Sequence, residues 1–273
     1  MILRAAYLAG ICLVLGVLSP SGALAQSTGL TRLTDRDDLL GWEAVGRLDV
    51  KGTGYCTGTL IAPDLVLTAA HCVFDRATHA MHDPDTLVFR AGLRDGIAIA
   101  DRAIARIAVP DGYDPDGPRT MEQVRQDVAL LRLNSPITSA DADPFILHSG
   151  QAVGASVSVT SYGQGRSNAL SRQRQCSIVG QADDLLAFDC DVTFGSSGAP
   201  VFVRVGSRGR ILSLISGGGT VDGRSVALGM TLPEVVTELK TSLRSQPAPS
   251  TAGIRRLPAG TRNQSAGAKF IKR

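Results

Sequence analysis

The sequence predicts an all-β body closed by a single C-terminal helix. Three observations carry this: a succession of short apolar and β-branched runs, turn residues that punctuate them, and a helical period that appears only late. The strand-like runs are 44–51, 55–62, 65–69, 86–91, 128–133, 153–162, 199–205, 210–216 and 225–232, separated by Gly, Pro, Asp and Asn. The segment 233–244 differs. It opens with Pro233 and spaces Val236, Leu239 and Leu243 along one face, the pattern of a short amphipathic helix. A parallel α/β sheet would need helices between its strands, so about 220 residues of short strands suit a sandwich or a pair of barrels.

The 273 residues are 44% hydrophobic and 19% charged, ample apolar content for a substantial core and too much for a disordered chain. The formal charge of only +3 lacks the concentrated basic surface that nucleic-acid binding by counterion release requires, and no specific nucleic-acid partner is expected of the body. Both ends separate from this body by composition. Arg4, an apolar run at 5–18 and Ala23-Leu24-Ala25 before Gln26 read as a secretory signal over 1–25, pointing to the periplasm or the extracellular medium. From 245 to 273 there is no acidic residue, and Arg255, Arg256, Arg262, Lys269, Lys272 and Arg273 stand among Pro, Ala, Ser, Gly and Thr, as in a disordered basic tail. Removing those six charges and Arg4 from the total leaves −4 for the body, so contact with an anionic surface is expected only of the tail.

Five cysteines is an odd number for an exported chain. Cleavage of the signal would remove Cys12 and leave Cys56, Cys72, Cys176 and Cys190, for which two disulfides in one of three connectivities are expected in an oxidising compartment. None of them has a CxxC metal spacing, and neither a metal nor a cofactor is expected. Asp111-Gly-Tyr-Asp-Pro-Asp-Gly117 does not match a calcium-binding EF-hand loop and reads as a solvated turn.

Three residues carry candidate chemistry. His71 follows the apolar run Leu65-Val66-Leu67 and sits one residue before Cys72, so a disulfide there would hold the imidazole still, as a general base requires. Asp127 opens the apolar run 127–133, where a carboxylate must find hydrogen-bond partners, and an imidazole N–H is one that would fix the tautomer of His71. Ser197 stands in Gly195-Ser196-Ser197-Gly198-Ala199-Pro200, where glycines admit unusual backbone angles and the N–H groups of Gly195 and Ser197 could converge on one oxygen. Ala199 occupies the place of the second glycine of a Gly-x-Ser-x-Gly elbow, so the α/β-hydrolase motif is excluded.

Cys56-Thr-Gly-Thr-Leu-Ile-Ala-Pro-Asp-Leu-Val-Leu-Thr-Ala-Ala-His-Cys72, Asp127-Val-Ala-Leu-Leu-Arg-Leu133 and Gly195-Ser-Ser-Gly-Ala-Pro-Val201 resemble the three signature blocks of the chymotrypsin/trypsin-like serine proteases. The resemblance spans roughly residues 42–244 and leaves a lead segment at 26–41 outside. It implies two packed antiparallel Greek-key β-barrels with a C-terminal helix, and an active site between them. It implies that Ser197 is the nucleophile, His71 the base, Asp127 the residue orienting His71, and Gly195 with Ser197 the oxyanion hole. It joins Cys56 to Cys72, which leaves Cys176 for Cys190. The implied partners are protein or peptide substrates, and a monomer is expected.

The sequence departs from the animal branch of that family in two places. Ser196 stands where an Asp usually precedes the nucleophile, and no Arg or Lys followed by Ile-Val-Gly-Gly precedes Gly41-Trp42, so activation by insertion of a new N-terminus is not expected. Small residues at the Ser196 position resemble bacterial branches, including the glutamyl endopeptidase-like group. Asp191, six residues before Ser197, has the offset of the pocket Asp of trypsin-like enzymes and implies a preference for Arg or Lys at P1, although Cys190 beside it alters the local pattern and turn capping is its rival use. Ser216-Gly217-Gly218 resembles the strand that pairs with substrate, Gly218 and Gly229 would leave a pocket open, and that strand lacks the histidine of glutamyl-specific relatives. The competing reading is a weak or inactive protease-like binding protein.

Overall fold

The computed structural model describes residues 28–247 except 53, 151 and 153. The segment 1–25 expected to be a signal and almost all of the segment 245–273 expected to be a basic tail lie outside the described residues.

A short strand β1 (Leu30–Arg32) and one helical turn α1 (Arg36–Leu39) lead into the first barrel. Its strands are β2 (Val45–Val50), β3 (Gly54–Ala62), β4 (Leu65–Thr68), β5 (Leu87–Ala91), β6 (Ala100–Ala108) and β7 (Ala129–Leu133), with helix α2 (Met121–Gln126) just before the last. They close in the order β2-β3-β4-β7-β6-β5, every pair antiparallel, which leaves no free edge. Alternation puts Leu48, Leu60, Val66, Phe89, Ile104 and Leu130 inside, each 0–1% exposed.

The second unit comprises β8 (Ser156–Gly163), β9 (Arg166–Ala182), β10 (Leu185–Phe188), β11 (Pro200–Val205), β12 (Arg208–Leu214), β13 (Gly217–Val221) and β14 (Arg224–Met230). Their order is β12-β11-β8-β9-β10-β14-β13, with β1 added to β9 through Leu30–Gln173 and Arg32–Ser171. The end strand β12 comes against β14, next to the other end, at Gly229, where a Cβ would stand 2.2 Å from the Leu214 carbonyl oxygen. Only a residue without a side chain permits that approach.

Strands β6 and β9 are not foreshadowed by the sequence, and each has a physical reason. The β6 segment is Ala- and Arg-rich, which favours helix locally, but it fills the slot between β5 and β7 without which the barrel would stay open. Strand β9 is largely polar because much of its length faces solvent, so it lacks the apolar alternation that marks a strand.

Between the units, Trp42, Phe145 and Phe202 cluster with ring centroids 4.5–5.8 Å apart. They tie the approach to β2, the connection between the units and β11 together, and the Arg172 guanidinium covers the Trp42 ring at 4.1 Å. The final helix α3 (Pro233–Ser245) turns Val236, Leu239 and Leu243 inward and lies on β6 and β7 of the first barrel. Arg106 closes its C-terminal end, donating to the carbonyls of Leu243 (2.9 Å) and Gln246 (3.0 Å). Among the described residues, no helix is long and apolar enough to cross a membrane.

Candidate active site

His71 lies on a 3₁₀ turn, Ala70–Val73, at the end of β4. Cys72 is bonded to Cys56 of β3, so the turn is stapled to the neighbouring strand. The cysteine sulfurs and a His71 ring nitrogen all lie within 4.8 Å, yet a disulfide offers no thiolate to a metal. Asp127 ends α2 and is 5% exposed. One carboxylate oxygen accepts the backbone N–H of His71 at 2.9 Å, and the other lies 2.8 Å from His71 Nδ1 and accepts the Ser216 hydroxyl at 2.6 Å. A carboxylate can only accept, so Nδ1 carries a proton, and in the neutral ring Nε2 presents a lone pair.

The segment bearing Ser197 is a tight turn built on two left-handed glycines, Gly195 at φ +89° and Gly198 at φ +76°. Contacts as well as φ demand glycine at both. A Cβ at Gly195 would come 2.3 Å from the Tyr55 ring, and one at Gly198 would come 2.2 Å from Thr68 Oγ1. Gly198 thus seats the turn on the end of β4, three residues from His71. The turn's own hydrogen bonds use the N–H groups of Ser196 (to Thr193 O, 2.9 Å), Gly198 (to Ile215 O, 2.7 Å) and Ala199 (to Ser196 O, 2.9 Å). Among the described residues, the N–H groups of Gly195 and Ser197 donate to no protein atom and the Ser197 hydroxyl forms no hydrogen bond.

Thr57 of β3 holds this turn across the gap between the two units, and the sequence gives no sign of it. Its N–H donates to Ser197 O at 2.9 Å. Its hydroxyl donates to Gly195 O at 2.8 Å and accepts the Tyr162 N–H of β8 at 3.0 Å. Thr57 is fully buried, so those partners are not exchangeable for water.

Two cavities flank His71. One of about 480 Å³ is lined by Tyr55, Phe74, Gln164, Phe194 and Gly195, with Phe194 71% exposed. The other, of about 420 Å³, is lined by Tyr113, Asp127, Ser216, Gly218 and Leu228. Burial, and next the charge of Asp127, push the Tyr113 phenol well above its ordinary pKa, so the ring stays neutral. His79 and Asp116 pair across the rim of this second cavity.

The candidate specificity residues are dispersed. Ser216 and Gly218 line the second cavity, whereas Gly229 is packed against Leu214 and lines neither. Asp191 is exposed and lines neither cavity, and its backbone N–H donates to Gln173 Oε1 at 2.7 Å. The Cys176–Cys190 bond is formed and ties β9 to the segment that precedes Asp191.

The Trypsin family model matches residues 40–227. The chain belongs to the trypsin family. Its curated relatives include Serine protease 23 of Bos taurus, 27% identical over 216 residues that make up 70% of this chain and 56% of that protein. Serine protease 23 of Homo sapiens is 27% identical over 217 residues, 70% of this chain and 55% of that protein. The Modular serine protease of Drosophila melanogaster is 33% identical over 78 residues, 29% of this chain and 10% of that protein. The chain therefore spans about half the length of the first of these relatives. Among solved structures, a Glu endopeptidase in complex with MPD superposes with a TM-score of 0.65 at 18% identity, covering 80% of this chain and 97% of that one. This likeness shows the fold: one closed barrel, a second curled β unit and a terminal helix, as the sequence predicts for a chymotrypsin-like protein.

Proposed function

We propose that this chain is an exported serine endopeptidase that hydrolyses peptide bonds through an acyl-enzyme. The observation that carries the reading is the Asp127 carboxylate, which takes Nδ1 of His71 and also accepts the backbone N–H of His71 and the Ser216 hydroxyl. In this reading Ser197 Oγ attacks the scissile carbonyl, His71 Nε2 takes its proton, and Asp127 stabilises the imidazolium. The N–H groups of Gly195 and Ser197 receive the oxyanion, His71 returns the proton to the leaving amine, and water repeats the cycle to release the acid.

Ser216 and Gly218, which line the second cavity beside His71, are the proposed substrate-binding residues; a preference for Arg or Lys at P1 through Asp191 would require substrate to reach outside both cavities. Two disulfides fit an oxidising compartment, in keeping with a signal at 1–25, a body at 42–244 and a basic tail beyond it. Labelling with a fluorophosphonate probe separates an enzyme from a protease-like binding protein. The parent reacts and Ser197→Ala does not; a parent that stays unlabelled overturns the proposal. Arg- and Glu-containing fluorogenic peptides then decide the P1 preference.

A further inference from the structure

Directly before Ser197, Ser196 is 0% exposed, and its hydroxyl is the centre of a small polar network. It donates to Ser161 Oγ at 3.2 Å and accepts the Thr193 N–H at 3.3 Å and Arg166 Nη2 at 3.3 Å. Arg166 Nη1 donates to the carbonyl and hydroxyl oxygens of Ser161, at 3.0 and 3.1 Å. Both strands of the β8–β9 hairpin, at its tip, are thereby joined to the turn that carries Gly195 and Ser197. A third link is the Gln164 N–H, which donates to Phe194 O at 2.7 Å. Gly163 is shaped for this: a Cβ there would stand 2.5 Å from Arg166 Cζ.

Among the described residues Arg166 forms no ion pair. Burial lowers its pKa, with the charge of Asp191 acting in the opposite sense. A guanidinium withdrawn from water without a carboxylate partner is a poor stability device, since an apolar side chain of similar volume would avoid the desolvation. What arginine alone supplies is a planar fork whose two nitrogens reach Ser161 and Ser196 together. Among the described residues of the lead segment none donates to or accepts from the Ser196 hydroxyl, and its strand β1 is paired along β9 instead.

We propose that Arg166 is a positioning residue for the oxyanion donors: through Ser196 and Ser161 it holds the 193–197 turn so that the N–H groups of Gly195 and Ser197 point at one place. This rests on the reading of Ser197 as nucleophile. Arg166→Met keeps the stem and removes the fork, and Arg166→Lys keeps the charge without the fork and serves the same test should the Met variant fail to fold. Each is compared with the parent on the best fluorogenic peptide found for it, and on inhibition by the aldehyde of the same peptide, whose hemiacetal oxygen occupies the oxyanion position.

The expected result is a fall in kcat of about 10- to 100-fold with KM unchanged, an equal loss of aldehyde affinity, and partial recovery of the Met variant on adding guanidinium. A purely structural role would lower the fraction of folded protein and leave the kcat of the folded fraction and the aldehyde affinity alone. Parental kcat and aldehyde affinity in the variants overturn this proposal while leaving the nucleophile intact. A parent that neither reacts with fluorophosphonate nor cleaves any peptide overturns the nucleophile, and this proposal with it.

Discussion

Asp127 accepts from three donors, and this makes the replacement of a single atom informative. In Asp127→Asn the amide can offer a donor to Nδ1, which would move the imidazole proton to Nε2 and leave no base facing Ser197. Peptide hydrolysis at neutral pH is expected to fall by about four orders of magnitude with the circular dichroism unchanged, as the triad of this family implies. Thr57 sets a different test at the same scale. Thr57→Val preserves shape but strands the Tyr162 N–H and frees Gly195 O, so thermal unfolding should report a loss of about 1–3 kcal/mol, accompanied by a lower kcat because only the backbone bond to Ser197 O still ties β3 to the turn. His71, Asp127 and Ser197 are legible in the sequence because each lies in a motif with its own local chemistry. Thr57 and Arg166 are not, and Ser216 is legible only as part of a substrate-pairing strand and not as a partner of Asp127, since the groups they meet stand 138, 30 and 89 residues away.

At the scale of elements, strands with strong apolar alternation announce themselves, and strands that exist to complete a sheet do not. The α3 periodicity predicts its buried face residue by residue, while β6 and β9 owe their form to pairing partners. The Cys176–Cys190 bond closes a loop of 14 residues joining β9 to the approach to the candidate site. Replacing both cysteines by serine should cost about 3 kcal/mol, or roughly 6–12 °C in Tm, measured by calorimetry. A shift below 2 °C would mean that the loop is already held by its other hydrogen bonds, such as Asp189 N–H to Ser177 O at 3.1 Å.

For the molecule as a whole, the last helix of the chain packs on the first barrel, so the two units are linked from end to end as well as at their junction. Ending the chain after Leu232 would uncover the sites of Val236, Leu239 and Leu243 and remove the partners of Arg106. At about 1.5–3 kcal/mol for each buried side chain, the loss rivals a whole-protein stability of about 5–15 kcal/mol. The truncated chain is expected to be largely unfolded at 25 °C by circular dichroism, and a cooperative transition near the parental Tm would refute the estimate.

The sequence by itself determined the β class, the terminal helix and the three residues proposed for chemistry, because apolar period and turn residues are local properties and the motifs are contiguous. Tertiary structure alone decided how the second unit curls until Gly229 meets Leu214, that Ser216 turns to Asp127, that Asp191 faces solvent outside both cavities, and that Arg166 is drawn beneath the turn of Ser197. Each of these depends on which surfaces meet when two β units pack. That choice is made by volume, burial and hydrogen-bond satisfaction across the fold, and no short stretch of the chain encodes it.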